Sequence, residues 1–173
     1  NVDADSLFGT ADSNFVDVIA QKFNEFDEKH LCQLHQWSVW RKEIAGTSAL
    51  PPLLEERCLS AFTNQPNHKS SLQKDVVSEL VSMGFDVKEE ALTQSGYYLD
   101  ALVDVNEEKI GIEVDGPHHF VGRKPTGSTI LKRRQVTNLD GIPVVSVPYW
   151  EWNDLQSSND KQQYLQSKLV AAY

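Results

Sequence analysis

Few features of this 173-residue chain suit a membrane or a secretory scaffold, and what is missing narrows the field first. Only two cysteines occur, Cys32 and Cys58. They are too few and too far apart for a disulfide framework or a zinc site, and read as thiols of a reducing compartment. No apolar run approaches the roughly 20 residues a membrane-spanning helix needs, so the chain reads as soluble with no membrane partner. The first residues, NVDADSLFGTADS, are acidic and lack both an apolar signal core and an Arg-rich amphipathic helix. They are not an intact signal or transit peptide, and any targeting segment is expected to be removed or to lie outside these residues.

Basic residues are also in deficit: 16 Lys and Arg stand against 25 Asp and Glu, a net charge of -9. Taken as an average, this opposes a nucleic-acid partner, because phosphate contacts need cations. The average conceals an asymmetry. The first thirty residues carry seven acids, whereas no acid occurs between Gly116 and Asn138, a stretch holding Arg123, Lys124, Lys132, Arg133 and Arg134. Exposed charges farther apart than about 8–10 Å are screened at physiological salt, so a local basic field can bind phosphate on an acidic chain. The plainer alternative is a solvated helix face.

Present in quantity is hydrophobic material, 40% of residues with four tryptophans, enough for a real core. Residues 1–13 are expected to be flexible. From Asn14 to Ile44 neither Gly nor Pro interrupts, and apolar residues recur every three to four positions. This predicts one long helix, or two broken around Asp27–His30, stopped at Gly46. A second helix is predicted from Pro51-Pro52 to near Asn64, burying Leu54, Cys58, Leu59 and Phe62, with Trp37 and Trp40 packed on it as core. The chain thus divides into a helical extension over 14–64, a cap or the end of a helical repeat region, and a second domain over 70–173.

In the second part, Ser70 or Ser71 caps a helix ended by Gly84. Strands are predicted over 85–92, 97–105 and 109–116, the last two forming a hairpin through Asn106-Glu107-Glu108. A helix with Ser128 or Thr129 near its start follows over about 127–139, then a buried strand over 142–148, a helical turn over 150–155 and a last helix over 161–172. This order gives an α/β (α+β) fold, a mixed sheet flanked by helices and preceded by an all-helical extension. Trp152 reads as core; Trp150 reads as either core or a stacking surface.

Chemistry, if present, belongs to the hairpin. Glu113 and Asp115 are two apart on a strand and project from one face, while Ile112 and Val114 face the other way. If Val105 pairs with Ile110, Asp100 falls opposite Asp115 and three carboxylates converge. Asp100, Glu113 and Asp115 are then candidate ligands for Mg2+ or Mn2+, and candidate catalytic residues together with His119. His118 and His119 follow on the Gly116-Pro117 turn, where one would act as a base or a phosphate contact. The same residues also read as an ordinary strand end and turn.

The motifs IEVDGPHHFV (112–121), GSTILKRRQV (127–136) with TNLDG (137–141), and VVSVPYWEW (144–152) occur in this order with the spacing of a known family. In these, the chain resembles the RAP domain, a family associated with RNA binding and abundant in apicomplexan parasites, which also occurs in algae, plants and animals. The resemblance covers about Ser70 to Leu169. It implies a fold like that of the PD-(D/E)XK nucleases, closest to the very-short-patch-repair endonucleases, hence a restriction-endonuclease-like sheet. It also implies Asp100 as the first acid of that motif and Glu113 as the second. Asp115 stands where the catalytic lysine belongs, so Lys132, or His118 or His119, would have to replace it.

What the resemblance implies for function is an RNA-binding module in organellar RNA metabolism, in a mitochondrion or alternatively a plastid, acting on mRNA or rRNA. Binding would use His118, Arg123, Lys124, Lys132, Arg133 and Arg134, and RNA binding without catalysis is favoured over a metal-dependent endonuclease. A structural role in an organellar ribosome, with the acidic helical region meeting ribonucleoprotein proteins, is the third expectation. On this reading Lys132, Arg133 and Arg134 are exposed, and removing their charges would barely change stability.

Overall fold

The computed structural model describes residues 15–19, 21–64 and 69–172, apart from the side chain of Phe23. The expected flexible N-terminus and most of the expected linker lie outside these residues. The chain separates into two compact units, Asn1–Pro66 and Asn67–Tyr173. Among the described residues, no helix is long and apolar enough to cross a membrane.

In the first unit, residues 15–19 and 21–22 are helical and a single 3-10 turn follows over Phe23–Glu25. Helix α1 then begins afresh, Glu28–Ala45, because Asp27 caps it: its carboxylate accepts from His30 N at 2.9 Å. The interruption expected near Asp27 is therefore a capped helix start. Gly46, at φ +74°, closes α1 in the left-handed conformation. Helix α2, Pro52–Thr63, starts on its proline and packs on α1 through Leu31, Leu34, Leu54, Cys58 and Ala61, with Trp37 against them. Leu59, expected inside, is on the surface, as is Ile44 at the end of α1.

In the second unit, α3 (Ser71–Ser82) is capped by Ser70, whose hydroxyl accepts from Gln73 N at 3.0 Å. Strands β1 (Val87–Leu92), β2 (Tyr98–Val105) and β3 (Glu108–Asp115) form an antiparallel meander. A small hairpin of β4 (Phe120–Val121) and β5 (Lys124–Pro125) precedes α4 (Gly127–Asp140). Strand β6 (Val144–Pro148) then runs parallel to β3, giving the mixed order β1-β2-β3-β6. Helices α5 (Tyr149–Asn153) and α6 (Ser158–Val170) complete the unit, the latter on a Ser157/Asp160 capping box three residues before its expected start.

The two faces of this sheet differ. Ala101, Val103, Ile110, Ile112, Val114, Val145 and Val147 pack with Val76, Val77 and Leu80 of α3, Trp152 of α5 and Leu165 and Leu169 of α6. Trp152 is core, as expected, and donates its indole N–H to Asp75 at 2.8 Å. The alternate positions, including Glu113 and Asp115, face the other way, toward α4. Thr126 caps that helix, its hydroxyl accepting from Thr129 N, ahead of the expected Ser128 or Thr129.

The β2–β3 turn is tighter than the sequence predicts. Val105 pairs with Glu108, leaving Asn106 and Glu107 as a two-residue turn at φ +50° and +69°. Both central residues at positive φ define the type I′ geometry, which matches strand twist but strains a side chain such as glutamate. Glu107→Gly is expected to stabilise the second unit by about 0.5–1 kcal/mol in urea unfolding. A loss of stability would show that the turn is not under strain.

Candidate nucleic-acid interface and its buried polar layer

Parallel pairing of β3 with β6 ends at Asp115 and Pro148, so the loops leaving both strands emerge side by side. In α/β sheets, the carboxyl ends of parallel strands are where ligands are received. Here they deliver the Gly116-Pro117-His118-His119 turn, the β4–β5 hairpin and the first turn of α5.

Beneath that edge, α4 is tied to the sheet by charge. Glu113 and Asp115 are only 4% and 1% exposed. Lys132 Nζ lies 2.7 and 2.8 Å from the two carboxylate oxygens of Glu113. Arg133 donates to Asp115 and also, at 2.8 Å, to the hydroxyl of Ser146 on β6. Ser146 in turn donates to Asp115 at 2.6 Å. His119 Nδ1 stands 3.4 Å from Asp115 and 3.4 Å from the Thr129 hydroxyl. Farther along α4, Gln135 accepts from the buried Tyr97 hydroxyl at 2.7 Å, and Asp140 accepts from Ser95 N at 2.8 Å.

Asp100 occupies a different position from the expected one. With Val105 opposite Glu108, the register brings it level with Glu113 rather than Asp115. The shift is two residues, so the side chain stays on the same face. Regular pairing stops at Ala101, and the Asp100 carboxylate takes over the next donor, accepting from Val114 N at 2.7 Å. The three acids share a face and sense one another. Burial raises Asp100, with Val114 N and Lys132 opposing it. Burial likewise pushes Glu113 up to about 7, outweighing the pull of Lys132, and Asp100 and Asp115 add to the rise.

As arranged, these residues do not fit a divalent cation. Protein cations face Glu113 and Asp115, a backbone amide occupies Asp100, and among the described residues no three His, Cys, Asp or Glu side chains are grouped to hold a metal. Lys132 and Arg133 are likewise not on the solvated face expected of them; their side chains are 26% and 21% exposed and are bonded inward. Arg134 is exposed.

The remaining basic candidates gather at the edge. His118, Arg123 and Lys124 are exposed, and the Arg123 guanidinium lies 5.8 Å over the Trp150 ring. Trp150 is half-buried, edge-to-face with Phe120 at 4.4 Å and with Tyr149 at 5.2 Å. Glu151 beside it is occupied by the Tyr164 hydroxyl at 2.7 Å and Lys168 at 2.8 Å. Sequence reasoning missed Phe120 and Ser146. The Val121-Gly122 step before two cations was the available signal for the hairpin, with Gly122 at φ +64° in its turn. Nothing in the sequence marks Ser146 apart from its place on a β-branched strand.

Comparison with known proteins bears on this arrangement directly. A family model of the RAP domain matches residues 112–168, which run from β3 through the edge into α6. The chain therefore carries a RAP domain. A chloroplastic RAP domain-containing protein of Oryza sativa subsp. japonica is 39% identical over 99 residues, 56% of this chain and 15% of that protein. The chain thus spans a small part of the length of the relative it matches. RAP domains are generally RNA-binding, which supports an RNA-binding role here.

Two consequences can be measured. Arg133→Ala strands the Asp115 charge in the interior and is expected to cost about 3 kcal/mol, the range for breaking one side of a buried pair. Unchanged denaturant stability would mean the pair is not formed. For Glu113, a folded-state value raised to about 7 means that its stabilising, neutral form is fully present below about 4.5 and is lost as pH rises through 7. The melting temperature of the wild type is therefore expected to fall relative to Glu113→Gln between pH 5 and 8. Parallel melting profiles would place the Glu113 titration at an ordinary value.

Proposed function

We propose that this chain is an RNA-binding module that holds RNA without cleaving it, at the edge formed by the carboxyl ends of β3 and β6. One observation supports it above the others: within the RAP domain, His118, Arg123 and Lys124 are exposed together on adjacent short loops, while the nearest acids are already neutralised by protein partners. Flexible hairpin-tip cations suit phosphate, which is met by charge and hydrogen bonding without sequence reading. Arg134, exposed on α4, is the further candidate. Lys132 and Arg133 act from beneath, as the pairs that hold α4 in place.

The compartment proposed is an organelle, with the plastid named for the rice relative placed ahead of the mitochondrion. The substrate proposed is an organellar transcript or ribosomal RNA. The nuclease-like fold relationship belongs to the same proposal: it accounts for acids at positions 100, 113 and 115 and for a helix-borne lysine beside Glu113. Cleavage is not part of it, because the acids are engaged by Lys132, Arg133 and the Val114 amide.

Arg123→Ala with Lys124→Ala is expected to weaken RNA binding across sequences and to reduce the salt slope of log affinity by about 1.4, or about 0.7 per lost single-strand contact. Anisotropy titrations at several salt concentrations measure this, and an unchanged slope would move the phosphate contacts elsewhere. The same RNA left intact by the wild type in Mn2+ is the companion result. Metal-dependent cutting that Glu113→Gln abolishes would replace binding with catalysis.

A further inference from the structure

We propose that Trp150 is a stacking site for one unpaired nucleobase, so that the RNA taken by this edge is single-stranded. The inference rests on the RNA-binding reading and adds the class of RNA to it.

Two tryptophans two residues apart, on the same short helix, have opposite environments. Trp152 is 2% exposed, and its N–H is satisfied by Asp75. Trp150 is half-buried, and among the described residues none accepts from its indole N–H. Its flanks are fixed: Phe120 and Tyr149 meet it edge-to-face, so the ring is braced without being stacked face-on. The group over its ring is the Arg123 guanidinium, on the exposed tip of the β4–β5 hairpin. A planar cation over an indole marks a surface that another planar group can take, since cation–π contact at an exposed site is weak, about 0.5–1 kcal/mol. A nucleobase offers a larger π-face, and base–aromatic stacking is the main sequence-tolerant contact that proteins make with single strands.

The geometry also assigns the displaced arginine a task. If a base takes the ring, the Arg123 guanidinium swings outward to the phosphate of the same nucleotide, beside Lys124. The pair would thus bind base and backbone of one residue, with the indole N–H left for a ribose or base oxygen.

A duplex is the poorer fit. Its bases are already stacked, and recognition of double-stranded RNA relies on 2′-hydroxyl and phosphate contacts spread along the helix, over roughly 16 base pairs in a dedicated module. The exposed cations of this edge, His118 aside, are Arg123 and Lys124 on one short hairpin, with Arg134 on α4, on a chain of net charge -9.

The test uses the full 173-residue chain with a labelled ten-nucleotide oligouridine and a ten-base-pair RNA duplex. The wild type is expected to prefer the single strand, and indole emission to be quenched on binding. Trp150→Leu should lose about tenfold in single-strand affinity with little change in salt slope, and lose the quenching. Trp150→Phe, which keeps a ring and guards against misfolding, should recover part of the affinity. Equal affinity for the duplex, or a Trp150→Leu variant that folds and binds as the wild type does, would overturn the stacking site while leaving RNA binding intact. Absence of binding to either RNA would overturn both readings.

Discussion

Helix α4 is held to its sheet by two buried ion pairs, Lys132 with Glu113 and Arg133 with Asp115, and the usable edge of the second unit depends on them. Carboxylates at 4% and 1% exposure would be intolerable alone. Each is met by a cation whose tail is partly buried and whose bond is supported by neighbours, Ser146 for Asp115 and the shared field of Lys132 for Glu113 and Asp100. Such pairs add little net stability over a well-packed apolar layer. What they fix is direction. An apolar helix face can slide and rotate on a sheet, whereas two adjacent cations matched to two carboxylates permit one placement. That placement sets where α4 starts, and so where Thr126 and the β4–β5 hairpin stand beside the Pro117–His119 turn.

The apolar half of this architecture was readable from residues, and the polar half was not. The stripe Val76, Val77 and Leu80, the alternation in β3 and the β-branched run of β6 announce themselves because burying apolar side chains leaves a period. The inward face of α4 has the same period: Thr129, Lys132, Arg133 and Val136 are spaced three, four and seven apart. Val136 is the one apolar member of those four, so cations destined for the interior read as a solvated face. Only their match to acids on another element, 19 and 18 residues earlier, reveals them. The hairpin register failed for a related reason. Asn106-Glu107 lacks the glycine that advertises a type I′ turn, so the expected pairing of Val105 with Ile110 made the loop two residues longer than it is, and Asp100 was matched to the wrong acid.

The separation of layers reconciles an acidic chain with an anionic partner. Acids near the edge are spent inside the protein: Asp115 on Arg133 and Ser146, Glu151 on Tyr164 and Lys168. Burial of the Tyr164 hydroxyl, together with its bond to Glu151, holds its proton far above the usual range, so it remains a donor to that carboxylate. Arg123 and Lys124 are left projecting from the surface with no equally exposed acid in the stretch that carries them. Net charge governs solubility and long-range steering, but contact is decided within a Debye length.

The same accounting bears on whether Asp100, Glu113 and Asp115 can take up a divalent cation. A carboxylate that coordinates a divalent cation cannot also be the sole counter-charge of a buried lysine or arginine. For Mg2+ to enter here, Lys132 and Arg133 would have to leave Glu113 and Asp115, and α4 would lose the contacts that orient it. Asp115 therefore does more than add one more acid to this face. It creates a second anionic site that only a second helix-borne cation can neutralise, and Arg133 next to Lys132 supplies it. Once both cations are committed, the acids serve the geometry of the edge above them, and their chemistry becomes that of a clamp.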